Sequence, residues 1–447
     1  MIIMKFGGTS VSTSERLQTI CDIVQKEKEK NPVIVVSAIR GVTDALLACL
    51  TASEKEREEY IKTIRHMHVT LFPKEWDDDM RSEVSAYIDT ELAKLSVMLL
   101  IEERTPALSD HVVSFGEKLS SYLIAHILKS QNLPAQQIVA TECIVTDNEF
   151  GAAEFKTTET KKATEKTLMP LIKKGIVPVV TGFIGRNLSG EITTLGRGGS
   201  DYSAAILGYA LGAKEIQIWT DVDGIYTSDP RFIKDAHVLK NVSYREASEL
   251  AAFGAKVLHP RTIRPAVKHG IAVRVCNTLH PDAPGTLIDA KGVSAKHVAA
   301  IAFKKQITVV DIYSTDMLFS KGFLAKVFTI FANHSISINI VSVSEVSISV
   351  SFDNDEHLAD AIAELESFSE VTKTKAYGMV SIIGEEVVLV KDIMKEIFSL
   401  LAKMEIPIKM ISLGATDINA SIVVPTERVL EVAQTLHTEL ITKGKHK

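Results

Sequence analysis

A chain of 447 residues is too long for one ordinary core, so two or more domains are expected. Hydrophobic residues make up 46% and charged residues 24%, which excludes a disordered chain. Fifty basic against 56 acidic residues leave a net charge of -6, so no basic surplus points to nucleic acid or an anionic membrane.

The start, MIIMKFGGTS, enters a strand pattern at once and has no signal-peptide layout. No run of about 18 uninterrupted apolar residues occurs, so no membrane-spanning helix is expected. Cys21, Cys49, Cys143 and Cys276 are scattered and form no CxxC pair, which predicts reduced thiols in a soluble cytoplasmic protein. Short apolar runs at 2–6, 33–37, 176–181 and 215–220 read as buried strands, with helical patterns such as 12–26 and 200–211 between them. Residues 1–280 are therefore expected to form an α/β domain with a largely parallel sheet. The Glu-, Lys- and Arg-rich stretch 53–103 reads as a helical insertion with a solvated face. Prolines and glycines mark 281–298 as a linker.

Beyond it the texture changes. A strand at 307–313, a helix at 323–333, two strands within 337–352, a helix at 357–367 and a further strand make one unit, 299–374. A similar order recurs in 375–447: strand 379–383, helix 390–403, strands within 409–424 and helix 428–442. Each reads as a β-α-β-β-α-β-like, ferredoxin-like unit, and a tandem of them suggests ligand sensing.

Three clusters carry chemistry. The first strand runs into Lys5-Phe6-Gly7-Gly8-Thr9-Ser10, where glycines let backbone N–H groups approach an anion and Lys5 supplies charge for a phosphoryl group. The same glycine pair also suits an ordinary strand-to-helix turn, and no Walker-type loop is present. Residues 193–201, Thr-Thr-Leu-Gly-Arg-Gly-Gly-Ser-Asp, place three glycines around Arg197 and open a helix at Asp201, a candidate anion nest. Asp201 acting only as a helix cap is the alternative. Residues 219–231, from Trp219 to Arg231, follow a buried strand and offer carboxylates, Tyr226 and Arg231 to a nucleotide. Ser37 with Thr43, Glu117 and Lys256 are lesser signals, each alone more often structural, and His259 reads as a packed or capping residue.

Taken in order, KFGGTSV, VVSA, SFGEKLS, TGFIGRN, TTLGRGGSDYSA, TDVDGIYTSDPR and FGAKVLHPRT resemble the aspartokinase family, over essentially the whole chain. The resemblance implies an amino-acid-kinase-like fold followed by two ACT-type regulatory units, without the homoserine dehydrogenase part of bifunctional relatives. It implies transfer of the γ-phosphate of MgATP to the β-carboxylate of L-aspartate, the first step toward lysine, threonine and methionine. By resemblance Lys5 sits at the transferring phosphoryl group, Asp201 orients it, and the Gly7-Gly8 backbone cradles the phosphates. Ser37, Thr43, Glu117 and Arg197 would bind aspartate. Thr220, Asp221, Tyr226, Arg231 and Lys256 would bind nucleotide, with Mg2+ carried by ATP and no protein metal site.

In the first regulatory unit Met317, Ser320, Gly322, Phe323, Leu324, Ile338, Asn339, Ser344 and Glu345 resemble the effector site of lysine-inhibited members, with threonine and methionine as alternatives. Asn339 departs from the family's Asp, and a neutral amide offers an ammonium no ion pairing. The resemblance also implies a homodimer through the regulatory units. A non-catalytic sensor with a kinase-like domain, or a sibling kinase with another acyl acceptor, are the competing readings; a nicotinamide-dependent dehydrogenase lacks its full glycine fingerprint.

Overall fold

The computed structural model describes residues 1–253, 260–292, 298–318, 320–414 and 416–444. The chain divides into two compact units. The first comprises Met1–Ile225, Lys240–Tyr244 and Lys256–Gly292; the second comprises Tyr226–Leu239, Arg245–Ala255 and Val293–Lys447. No helix among the described residues is long and apolar enough to cross a membrane.

In the first unit the strands are β1 (Ile2–Phe6), β2 (Pro32–Val36), β3 (Ala135–Ile138), β4 (Val177–Thr181), β5 (Ile184–Arg186), β6 (Ile192–Thr194), β7 (Glu215–Thr220), β8 (Asn241–Ser243), β9 (Ala272–Asn277) and β10 (Thr286–Asp289). Eight of them form one sheet in the order β3-β4-β2-β1-β7-β9-β10-β8, and β5 with β6 makes a separate hairpin. Every pair in the large sheet is parallel except β9 with β10. Parallel strands covered on both faces need apolar residues throughout, which is why β1 and β2 read as unbroken hydrophobic runs. The one partly exposed residue of β1 is Lys5, next to its C-terminal end. The chain leaves β1 toward β2 on one side, and β7 later fills the other side. That reversal opens a crevice at the C-terminal ends of the strands, where α/β sheets hold ligands.

The stretch 53–103 contains helices Glu54–Val69 and Asp78–Met98. Ser53 and Glu56 cap the first of these reciprocally. Helix Pro106–Ser130 starts at the Thr105 cap with Pro106 in its first turn and is buried over most of its length. The segment read as a linker departs from that reading: Thr286–Asp289 forms β10 and pairs with both β8 and β9. Its prolines and glycines serve turns, and Gly285 has φ +63° within contact distance of Val275.

The second unit has strands β11 (Ala300–Tyr313), β12 (Val341–Val343), β13 (Ser347–Phe352), β14 (Glu370–Ile383), β15 (Met410–Leu413) and β16 (Asn419–Pro425). All pairs in its six-stranded sheet are antiparallel, in the order β12-β13-β11-β14-β16-β15. The two ferredoxin-like units are therefore interleaved rather than consecutive. The second half of β11 completes the β12-β13 side, while its first half, Ala300–Lys304, pairs with Met379–Ile383 and completes the β15-β16 side. The strand pattern at 307–313 catches only half of β11, because Lys304-Lys305-Gln306 interrupts the apolar run where the register shifts.

Each half has its own core. Val310, Phe323, Phe331 and Leu365 belong to one; Ile301, Ile382, Ile397 and Leu436 belong to the other. Ile233, from Tyr226–Leu239, also packs in the latter.

Ile301 is fully buried. Ile301→Ala is expected to cost about 2–5 kcal/mol, as for other buried Ile-to-Ala changes, and to match Ile382→Ala in the shift of the denaturation midpoint. A silent Ile301→Ala would show that residues 300–304 do not complete the second core.

Candidate active site

Lys5 leaves the central strand pointing at the N-terminal end of helix Gly199–Leu211, where Nζ lies 2.6 Å from Asp201 Oδ1. Both side chains are about seven-eighths buried, at 12% and 15% exposure, so neither charge is fully screened by water. Charge rather than a well-directed hydrogen bond holds the pair, since Asp201 Oδ1 has no hydrogen bond of acceptable geometry. Much of the donor capacity of the Lys5 ammonium is thus available to a ligand.

The turn after β1 is tied to its neighbours. The Gly7 N–H donates to Trp219 O at 3.2 Å, Arg40 N–H donates to Gly8 O at 3.2 Å, and Ser37 N–H donates to Phe6 O at 3.2 Å. Gly7 has therefore committed its own amide to β7. The Gly8 and Thr9 N–H groups have no acceptor among the described residues and are left for an anion. Side chains at the strand ends brace this rim: Ser10 Oγ and Thr278 Oγ1 are 2.7 Å apart, and Thr278 Oγ1 donates to Thr220 O at 2.6 Å.

Glu117 sits in the middle of helix Pro106–Ser130 and is 3% exposed. It reaches the site because backbones approach closely there: a Cβ on Gly8 would stand 2.7 Å from Ala38 O, and one on Gly116 would stand 2.7 Å from Ala38 Cβ. Ala38 N–H donates to Glu117 Oε1 at 3.1 Å, while Oε2 is buried without a partner among the described residues. Burial pushes the Glu117 carboxyl up to about 8, and the hydrogen bond from Ala38 offsets only part of that.

Arg197 is exposed on the loop before the helix and makes no ion pair or hydrogen bond among the described residues. One cavity of about 440 Å³ is lined by Lys5, Ser37, Thr43, Glu117, Arg197 and Asp201, which sequence reasoning had proposed from four separate segments. Phe183 and Ser200 line it too and were not singled out. Phe183 has φ +69° and presses against Gly199, where a Cβ would meet its ring at 2.6 Å. A bulky residue in that conformation is uncommon, yet nothing in the local pattern TGFIGRN marks it.

Among the nucleotide candidates, Thr220 ends β7 and Asp221 follows it, exposed. Its neighbour Asp223 is occupied, accepting from Asn277 Nδ2 at 2.7 Å with His280 Nδ1 also at 2.7 Å. Tyr226 and Arg231 belong to the segment that groups with the second unit. Arg231, 80% exposed, is paired with Asp229 at 2.6 Å. Lys256 and His259 lie outside the described residues. No group of three or more His, Cys, Asp or Glu suited to a metal ion occurs among the described residues.

The effector candidates lie around the start of helix Phe323–Asn333 and the strands beside it. Gly322 caps that helix at φ +92°, Phe323 is buried, and Met317 and Ile338 are half-buried. Ser320, Leu324, Asn339, Ser344 and Glu345 are exposed. Asn339 Nδ2 donates to Asp353 Oδ1 at 2.6 Å, and Lys304 Nζ holds the same carboxylate at 2.7 Å.

A model of the amino acid kinase family matches residues 1–277, and a model of the ACT domain matches 380–440. The chain is 35% identical to the lysine-sensitive aspartokinase 3 of Escherichia coli, over 98% of this chain and 99% of that protein. Among solved structures, E. coli aspartokinase III in complex with lysine and aspartate (T-state) superposes with a TM-score of 0.86 at 34% identity, covering 99% of both chains. The same enzyme in complex with aspartate and ADP (R-state) gives 0.82 at 35% identity, covering 98% of this chain and 99% of that one.

The Glu117 carboxyl has a signature of its own. Its folded value is raised, so the folded chain binds more protons than the unfolded one between about 4.5 and about 8. Stability therefore falls as pH rises through that window. Glu117→Gln should remove this contribution, so its melting temperature should gain on the wild type from pH 5 to 8 and then run parallel. A difference that stays flat, or falls, between pH 5 and 8 would show that Glu117 is not held protonated by burial.

Proposed function

The chain belongs to the aspartokinase family, and from that premise we propose how its pocket transfers the γ-phosphoryl group of MgATP to the β-carboxylate of L-aspartate. The observation that carries the reading is the gathering of Lys5, Asp201, Arg197 and the half-satisfied Glu117 around one cavity. A β-carboxylate is already ionised at neutral pH, so the attack needs no general base. Its oxygen forms a bond to the γ-phosphorus, the bond to the bridging oxygen breaks, and ADP leaves with those electrons.

The difficulty is bringing an anion against a triphosphate, and the remedy is cationic charge plus positioning. Lys5 meets the phosphoryl oxygens as charge moves onto the leaving group, and Asp201 holds the ammonium in place. Because the Gly7 amide is bonded to Trp219 O, the phosphate contact at this turn falls to Gly8 and its neighbour Thr9. Arg197 takes the α-carboxylate of aspartate. Glu117 Oε2 takes the ammonium, and that contact draws its carboxyl back down and releases a proton. Ser37 and Thr43 complete the polar wall. Thr220 and Asp221 are assigned to the nucleotide; Tyr226, Arg231 and Lys256 keep the nucleotide role on their motif alone. Mg2+ would enter with the triphosphate and screen part of its charge.

The C-terminal units serve feedback by an amino acid, with lysine as the favoured effector. The departure at Asn339 is partly answered by Asp353, one hydrogen bond away, although Lys304 already claims that carboxylate. Exposed Val341, Val343, Ile411 and Leu413 on the two edge strands β12 and β15 support a homodimer through this sheet. The cytoplasm fits the reduced, buried cysteines.

Three substitutions test these assignments. Lys5→Ala should lower kcat for aspartyl phosphate, trapped as the hydroxamate, by about 100-fold or more, with native circular dichroism. Arg197→Ala should instead raise the KM for aspartate by roughly 10- to 100-fold, the loss of a charge-assisted hydrogen bond. Retained turnover in the lysine variant would sink its assignment. For the sensor, Asn339→Asp should tighten lysine inhibition by about three- to tenfold through the regained charge. Unchanged inhibition would remove residue 339 from the effector site.

A further inference from the structure

We propose that Asp110 is a positioning residue that sets the span between Glu117 and Arg197, and through that span selects L-aspartate over longer dicarboxylic amino acids. The inference rests on the pocket assignments above and extends them to a residue outside the pocket. Asp110 lies on helix Pro106–Ser130 seven residues before Glu117, so both face the same side, about 10.5 Å apart along the axis. It is 4% exposed, and all its acceptor contacts go to one place. Oδ2 accepts from Thr194 N at 2.7 Å and from Gly151 N at 2.9 Å, while Oδ1 accepts from Thr194 Oγ1 at 2.8 Å.

Thr194 ends β6 three residues before Arg197. Ala153 N–H in turn donates to Thr194 O at 2.9 Å, and Gly151 O stands 3.0 Å from where a Cβ on Gly196 would be. The Asp110 carboxylate thus grips both the base of the arginine loop and the turn packed against it. Arg197 has no side-chain partner among the described residues to fix it, so its backbone path decides where the guanidinium arrives. One rigid helix therefore carries the carboxylate that receives the substrate ammonium and the carboxylate that anchors the loop of the substrate's other pole. Three hydrogen bonds to one buried acceptor group make a stiff joint.

The test is steady-state kinetics on the full chain with Asp110→Ala and Asp110→Asn. The Ala variant should raise the KM for aspartate by about tenfold or more, as for a sub-ångström loss of placement, and narrow the kcat/KM preference for L-aspartate over L-glutamate. The KM for ATP should stay within about twofold. The Asn variant should regain most of both, because its oxygen can accept from the two amides while its NH2 donates to the Thr194 hydroxyl. Should the Ala variant fail to fold, Thr194→Val removes the hydroxyl contact alone and should show the same split in smaller measure. Equal rises in both KM values, an unchanged preference over glutamate, or an Asn variant no better than Ala would overturn the proposal. A wild-type chain that forms no aspartyl phosphate would overturn the pocket assignments themselves, and this proposal with them.

Discussion

Two anions cannot be brought into bonding distance in a partly buried cleft unless positive charge is already there, and the cleft of the first unit is organised around that constraint. Its fixed point is the Lys5–Asp201 pair at 2.6 Å, mostly shielded from water. A lone ammonium in such a place would be costly to desolvate, and the carboxylate beside it offsets that cost. The pair stands where the central strand meets the start of a helix, so main-chain amides add to the same field. Opposite it, Glu117 supplies the complementary element. A carboxyl with one oxygen satisfied and the other buried without a partner among the described residues is poised for an ammonium, the role proposed for it toward the substrate amino group.

The sheet topology explains why residues so far apart in sequence converge. Lys5 belongs to β1, Ser37 follows β2, and the loop holding Arg197 follows the β5–β6 hairpin. All of these open at one end of a parallel sheet, near the point where the strand order reverses. Helix Pro106–Ser130 crosses beneath with Asp110 and Glu117 on one face, turning a collection of loop residues into a constellation of fixed dimensions. In the second unit the same economy appears in β11, whose two halves finish two different ferredoxin-like units.

Much of this was legible from residue order because parallel strands and glycine-rich turns leave strong local marks. The apolar runs at 2–6 and 33–37 announced β1 and β2 within a residue of their ends, and Arg197 among its glycines announced an anion loop. What stayed hidden was long-range. Asp110 looks like any acid in a helical pattern; only the fold brings it to Thr194, 84 positions away. Phe183 carries a backbone conformation that its side chain does not advertise. The interleaving of the regulatory units escaped for the same reason, since strand partners are set by pairing and not by sequence order. The commitment of the Gly7 amide to Trp219 likewise appears only when β1 and β7 lie side by side.

The most direct measurement is a structure of the chain with a non-hydrolysable MgATP analogue and L-aspartate bound together. The account expects Lys5 Nζ within about 3 Å of a γ-phosphoryl oxygen, the Gly8 amide on the same triphosphate and the substrate ammonium on Glu117. A triphosphate seated away from Lys5 and Gly8, or an aspartate turned with its carboxylate toward Glu117, would contradict it.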